Sequence, residues 1–238
     1  MGISDGAGLR SKLRFSVTLH AAMAVSGLIM VLFLLAHMYG NLKIFEGQQA
    51  FDGYSAYLRE IGEPLLPREG ALWIVRVVLL FSVVIHIYAA FTLWLRSRTA
   101  TAGKGGWRYE TRKNRRGVQR SYASFTMRWG GVLIGLFVIY HILNLSADYI
   151  APGGPSPSPY QRMVNDFSIW WVVLSYLIAL VALGFHLRHG VWSAFASLGA
   201  NSSVTRRRVL NQAASLAAVV ILVGFLVPPL AIFVGWVR

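Results

Sequence analysis

The sequence predicts an all-α integral membrane protein of five transmembrane helices, the first four forming an antiparallel bundle, with the N-terminus in the cytoplasm. Three observations predict this. The 238 residues are 55% hydrophobic and 13% charged, with a mean hydropathy of +0.53, whereas soluble domains average about 45–50% apolar and about 25% charged residues. Five apolar runs are each long enough to cross about 30 Å of hydrocarbon, which takes about 20 helical residues. Basic residues also alternate between connections: three Lys/Arg precede the first run, ten lie from Arg96 to Arg128 and four from Arg188 to Arg208, against six elsewhere. By the positive-inside rule the first set faces the cytoplasm and the C-terminus lies outside.

The first span covers 15–42 and follows Arg10, Lys12 and Arg14. It is too long for a signal-peptide core and lacks a small-residue cleavage site, so it reads as a start-transfer helix that stays in place. The stretch 48–62 has the apolar spacing of a short amphipathic helix lying at the outer interface. The second span covers 72–95, and the basic stretch 107–128 connects it to the third, 127–149. An outer Pro/Gly/Ser segment, 151–160, reads as a turn without regular structure. The fourth span covers 167–195. The fifth, 209–237, bears Pro228 and Pro229 and reads as a packing helix kinked near its outer end. Short connections make consecutive helices antiparallel neighbours. No internal repeat is visible, so the inverted halves of secondary transporters are not expected. The chain is one transmembrane domain, 1–238, with no loop large enough for a soluble catalytic domain.

The formal charge of +14 falls mostly on one membrane face. It is explained by topology and by attraction to anionic lipid headgroups, with a docked acidic partner as the sharper alternative. Nucleic acid is not the expected partner. The sequence has no Cys, which leaves no thiolate ligand of its own for zinc or an iron–sulfur cluster, so metal chemistry must rest on His.

There are six His. Ionisable side chains inside a span are costly and point to function. His37, His86, His141 and His186 each sit inside one of the first four spans. At 1.5 Å per residue His37 lies about 13 Å and His141 about 5 Å to the outer side of their span centres, whereas His86 lies a few ångströms and His186 about 7 Å to the inner side. The four thus form two depth-matched pairs, each from helices running in the same direction. Any one of them alone reads equally well as a structural hydrogen-bonding residue; the pairing favours two stacked bis-His haem sites, because neutral imidazole ligates haem iron and a flat apolar macrocycle fits between helices. Gly40, Gly131, Gly135 and Gly184 would let a porphyrin approach the backbone, though close helix packing needs small residues too. His20 and His189 lie near the cytoplasmic boundary and are expected to be unligated. No Asp or Glu falls in the central part of a span, which disfavours a proton pump.

The stretches LLAHMYGNLKIF, LREIGEPLLP, VIHIYAA, YHILNL and GFHLRHGVWSAFASLG resemble the cytochrome b membrane-anchor subunit of succinate dehydrogenase and fumarate reductase (succinate:quinone oxidoreductase, respiratory complex II). The resemblance is to its five-helix, single-subunit, di-haem type and runs over about residues 15 to 237. It implies that His37 and His141 ligate the distal (outer) haem b, and His86 and His186 the proximal (inner) one. It implies a bacterial plasma-membrane subunit without a complete succinate site. Electrons from an FAD-bearing flavoprotein subunit and an iron–sulfur subunit would pass through it to a quinone, menaquinone rather than ubiquinone. The resemblance also allows trimers of such complexes.

By analogy an outer carboxylate assists proton transfer at the quinone, and Glu60 and Glu63, beside Tyr54 and Tyr57, are the candidates, although a solvated loop carboxylate explains either one. Haem propionates want cations, for which Lys43 and Arg76 (outer) and Arg128 and Arg188 (inner) are plausible; snorkelling to headgroups explains them as well. Two alternatives stay open: the di-haem cytochrome b subunit of a hydrogenase or formate dehydrogenase, and a haem-free membrane scaffold. A cluster completed by Cys from another chain is a more distant one.

Overall fold

The computed structural model describes residues 4–101 and 118–238, and side chains over 16–96 and 126–238. Most of the basic stretch 107–128, with Arg10, Lys12 and Arg14, therefore lies outside the described side chains. The described chain is helical throughout: α1 (Ser4–Leu42), a 3-10 turn (Lys43–Glu46), α2 (Gln48–Glu60), α3 (Gly70–Thr101), α4 (Val118–His141) continued by a π turn (Ile142–Ser146), α5 (Pro159–Phe167), α6 (Trp170–Ser197) and α7 (Val204–Phe233). Five segments are long and apolar enough to cross a membrane: Ser16–Glu46, Gly70–Arg96, Thr126–Ser146, Trp170–Ser197 and Val204–Phe233. Leu32, Leu80, Leu136 and Leu216 are all exposed on these helices. Between lipid-bathed helices close packing and internal hydrogen bonds, rather than removal from water, hold the bundle together.

Helix α1 packs against α3, α6 and α7, and α6 packs against α4 and α7. This sets α1 opposite α4 and α3 opposite α6. Consecutive spans are packed neighbours with one exception: among the described residues α3 and α4 are not closely packed. Helix α7 closes the α1/α6 side through Ala218 and Ile221, which meet Leu187 of α6 and Val31 and Leu34 of α1.

The two ends of the bundle differ. At one end the 3-10 turn, α2, α5, the start of α6 and the end of α7 bury Ile44, Phe51, Tyr160, Met163, Phe167, Val172, Ala231 and Ile232 together. This cap is tied by polar bonds from Asp52 of α2, which accepts from Ser158 Oγ at 2.6 Å and from the Tyr160 amide at 3.0 Å. The amphipathic helix expected over 48–62 is α2.

Helix α5 was not expected. Its signal is the Ser-Pro pair: Ser158 accepts from the Gln161 amide at 3.2 Å, and Pro159 opens the first turn. Ser before Pro at the first helical position is a strong start, because that turn's orphan amides need an acceptor and proline has no amide to satisfy. Extended backbone at Ile169 separates α5 from α6, so the fourth span begins at Trp170 rather than 167. The third span is also shorter than the expected 127–149: its α-helix ends at His141, and the Asn144 side chain takes over the backbone carbonyl of Ile150 at 2.7 Å. The fifth begins earlier than 209, where Ser203 accepts from the Arg206 amide. Pro228 and Pro229 lie inside α7 near the capped end.

Candidate functional site

The four span histidines are half-buried, whereas His20 and His189 are exposed. Their rings meet in the expected pairs. His37 of α1 and His141 of α4 have ring centres 5.7 Å apart, edge to face. His86 of α3 and His186 of α6 are 6.2 Å apart and tilted. Two imidazoles bound to opposite sides of one metal at about 2 Å put their nitrogens about 4 Å apart and their ring centres about 6 Å apart. Both pairs match that spacing.

The donor set narrows the metal. Among the described residues no three His, Cys, Asp or Glu side chains converge on one point. A bare zinc ion would need three or four protein ligands. Haem iron takes four equatorial donors from its own macrocycle and needs only the axial positions, so pairs of His suit it. The surroundings of the first pair are aromatic: Phe33 stacks on His37 at 5.3 Å, Phe137 on His141 at 5.9 Å, and Phe225 lies 5.6 Å from His37. Phe225 comes from α7, the span to which the sequence assigned no chemistry.

The hydrogen bonds of His141 fix its tautomer. Asn144 Nδ2 donates to the Ile150 carbonyl at 2.7 Å and to Asp166 Oδ2 at 2.6 Å. A carbonyl can only accept, so the amide orientation is determined and Asn144 Oδ1 must be the acceptor facing Tyr176. The Tyr176 hydroxyl spends its single proton on that oxygen at 2.8 Å. It can therefore only accept from His141 Nδ1 at 3.2 Å. Nδ1 carries the hydrogen, and Nε2 is left as the bare nitrogen, the one that could bind a metal. Asp166 closes the chain, accepting also from the Gly153 amide at 2.8 Å. Glycine is required there, because a Cβ would run into the backbone of Asn165. Asn144, Asp166 and Tyr176 are all buried. Burial pushes the Asp166 carboxyl up from the ordinary carboxylate value; the Gly153 amide and Asn144 pull it down, and nearby Asp148 adds to the rise.

The second pair is held by backbone. His86 Nδ1 lies 3.2 Å from the Met23 carbonyl and 3.4 Å from Ser26 Oγ, and Ser26 itself donates to the Ala22 carbonyl at 2.7 Å. The carbonyl makes Nδ1 the hydrogen-bearing nitrogen of this ring too. His186 Nδ1 is buried without a partner. Gly27 and Gly131 let the rings lie against α1 and α4: a Cβ would touch the His86 ring at 3.4 Å and the His186 ring at 3.6 Å. Of the glycines singled out in the sequence, only Gly131 stands beside a His. Gly40 faces Tyr54, Gly184 faces Leu222, and Gly135 opens onto nothing. Gly27 was missed.

His20 bonds to the Ser16 carbonyl of its own helix at 2.8 Å, and His189 lies beside Trp192. Of the four outer candidates, Tyr54 alone is brought to the bundle, against Gly40 one turn beyond His37, with Tyr39 edge-on at 6.1 Å and the Lys43 ammonium 5.7 Å from its ring. Tyr57 and Glu63 are exposed, and Glu60 is exposed and 3.9 Å from Arg68. The four candidate cations have protein partners: Lys43 with Glu46 at 3.0 Å, Arg76 with Glu69 at 3.7 Å, Arg128 over the Trp94 ring, and Arg188 with Ser215 at 3.2 Å.

The described chain thus has five helices long and apolar enough to cross a membrane, with four of its histidines meeting in two pairs between them. Comparison with protein-family models, curated proteins and solved structures found no match to this chain.

Proposed function

We propose that this chain is the membrane anchor and electron-transfer subunit of a bacterial succinate:quinone oxidoreductase. The observation that carries the reading is the meeting of His37 with His141 and of His86 with His186 at the ring separations of 5.7 and 6.2 Å. It is supported by the likeness of the segments around these residues to the di-haem anchor family. In this reading each pair holds one haem b, with Nε2 of His141 and of His86 facing the iron. When bound, the haem supplies reversible one-electron transfer at a potential set by its axial ligands and their hydrogen bonds.

The chain's own residues do the rest. Phe33, Phe137 and Phe225 keep water from the outer pair. Tyr176 and Met23 orient His141 and His86 through Nδ1, as outer-shell acceptors do for ligating imidazoles. The N-terminal side faces the cytoplasm of the plasma membrane, where the basic connections, including Arg206, Arg207 and Arg208 at the start of α7, receive the iron–sulfur subunit and, through it, the flavoprotein. The capped end lies outside. Quinone, menaquinone in this reading, docks there beside Tyr54, with Glu60 and Glu63 on the solvent side to exchange protons.

The test is a reduced-minus-oxidised spectrum with pyridine haemochrome quantitation on the purified complex containing this chain, reduced with succinate and then with dithionite. About two b haems per chain, at least one of them reduced by succinate, is the expected result. Haem without succinate reduction moves the chain to another di-haem oxidoreductase, and no haem removes the two-site reading.

A further inference from the structure

The outer pair is backed by something the inner pair lacks: a continuous chain of buried side chains ending in a carboxylate. From His141 the bonds run to Tyr176 (3.2 Å), Asn144 (2.8 Å) and Asp166 (2.6 Å), crossing from α4 to α6, back to the π turn and on to α5. Asp166 is 1% exposed and Asn144 is fully buried. Buried polar groups this far from solvent are costly unless satisfied, and every link here has its partner. The direction of each bond is forced by the Ile150 carbonyl, so the chain has one arrangement of donors and not two.

Simple anchoring of the outer loop does not account for all of it. The Ile150 and Gly153 bonds would hold the loop without Tyr176, whose hydroxyl reaches past Asn144 to the ligand. Asp148, the nearest other carboxylate, is engaged elsewhere: it lies 3.6 Å from Arg162 and accepts from the Ser156 amide. Asp166 has no Lys or Arg partner among the described ion pairs.

We infer that Asp166 is a positioning residue for the outer haem, acting through Asn144 and Tyr176 to fix His141 with Nε2 toward the iron and to make the iron's potential respond to the charge at Asp166. This rests on the haem reading above. An acceptor on the far nitrogen makes an imidazole a more basic ligand, and added negative charge favours the ferric state. Removing either should favour ferrous iron at the outer site alone.

The experiment is a redox titration of the purified complex followed in the haem b absorption bands, with the pH raised to favour the Asp166 carboxylate, on wild type, Asp166→Asn, Tyr176→Phe and the double variant. Tyr176→Phe deletes one oxygen and is expected to raise the ferrous-to-ferric ratio of the outer haem about tenfold at a fixed applied potential, which is 59 mV for a one-electron couple. Asp166→Asn is expected to raise it about threefold, and to add nothing once Tyr176 is Phe. The inner haem and the two-haem content should not change. An Asp166→Asn effect of equal size in both backgrounds means the charge acts through space, and it overturns the inference. Variants that lose stability but leave the outer potential in place also overturn it, since that is what loop anchoring alone predicts. If Asp166→Asn does not accumulate, Tyr176→Phe still decides: an outer potential unmoved relative to the inner one sinks the proposal. Absence of haem in the wild-type complex would remove the underlying reading as well, an outcome distinct from haem present with an unmoved potential.

Discussion

The two histidine pairs meet at nearly the same separation but are held in different ways. At the capped end, His141 is positioned by side chains from three elements, and the surrounding layer of α2, α5 and the helix ends buries large residues such as Phe167 and Ile44 almost completely. At the other pair, His86 is positioned by the backbone of α1 at Met23, and space comes from Gly27 and Gly131. A backbone acceptor on a neighbouring helix is insensitive to side-chain changes. A side-chain relay is adjustable, and it can be broken one residue at a time. The capped-end pair is thus the one whose surroundings single substitutions can tune, while the other is set by how α1 and α3 pack.

The largest effect that could break this comparison is loss of a ligand. In the proposed di-haem reading, His37→Ala or His141→Ala is expected to remove the haem at the capped end and spare the other, and His86→Ala or His186→Ala the reverse, each seen as half the haemochrome per chain. A replacement that left both haem signals intact would remove that residue from its pair.

The next effect separates the two kinds of support. Asn144→Ala strips partners from Tyr176, Asp166 and the Ile150 carbonyl at once. Tyr176 and Asp166 are buried whereas Ile150 is exposed, and each buried group left unsatisfied costs about 1–3 kcal/mol, so a loss of roughly 2 kcal/mol or more is expected. Ser26→Ala removes only a secondary contact to His86, whose Met23 bond remains, and is expected to cost about 1 kcal/mol or less. Thermal unfolding of the two variants in the same detergent checks the order; equal losses would mean that the two ends are not supported differently.

The spans and the membership of both pairs could be read from the sequence because they depend on two regular quantities, apolar run length and rise per residue. Counting 1.5 Å per residue from the span centres was enough to put His37 and His141 in the same half of the bundle, even though those residues are 104 positions apart. What escaped was whatever depends on a local exception to regular helix. Helix α5 hid behind the Pro/Gly/Ser composition of 151–160, although Ser158 and Pro159 carried its start signal. The passage of α4 at His141 into a π turn over Ile142–Ser146 left no mark in an apolar count. Asp166 stood in the sequence as one more outer acidic residue. Only the fold of α5 against α6 buries it and gives it a role, just as only the packing of α7 brings Phe225 to His37. Among the quinone candidates, spacing put Tyr54 and Glu60 on one short helix, but which side of that helix meets the bundle was settled by Gly40.

The smallest effect is the pH dependence of the cap. Because burial raises the Asp166 carboxyl above its ordinary value, the native state holds that proton more tightly than the unfolded chain does. The stability this group contributes is therefore complete below the unfolded value of about pH 4 and is lost as the pH rises through the raised native value. The groups around it are Asp148, which pushes in the same direction, the Gly153 amide and Asn144, which oppose it, and the Tyr140 and Tyr176 hydroxyls. Unfolding midpoints measured upward from about pH 4 should fall faster for wild type than for Asp166→Asn, whose amide does not titrate. A wild-type midpoint that rises relative to Asp166→Asn over that range would show the carboxylate, not the acid, to be the form the cap prefers. The donors from Gly153 and Asn144 would then outweigh the burial, and the outer site would carry a standing negative charge even in mild acid.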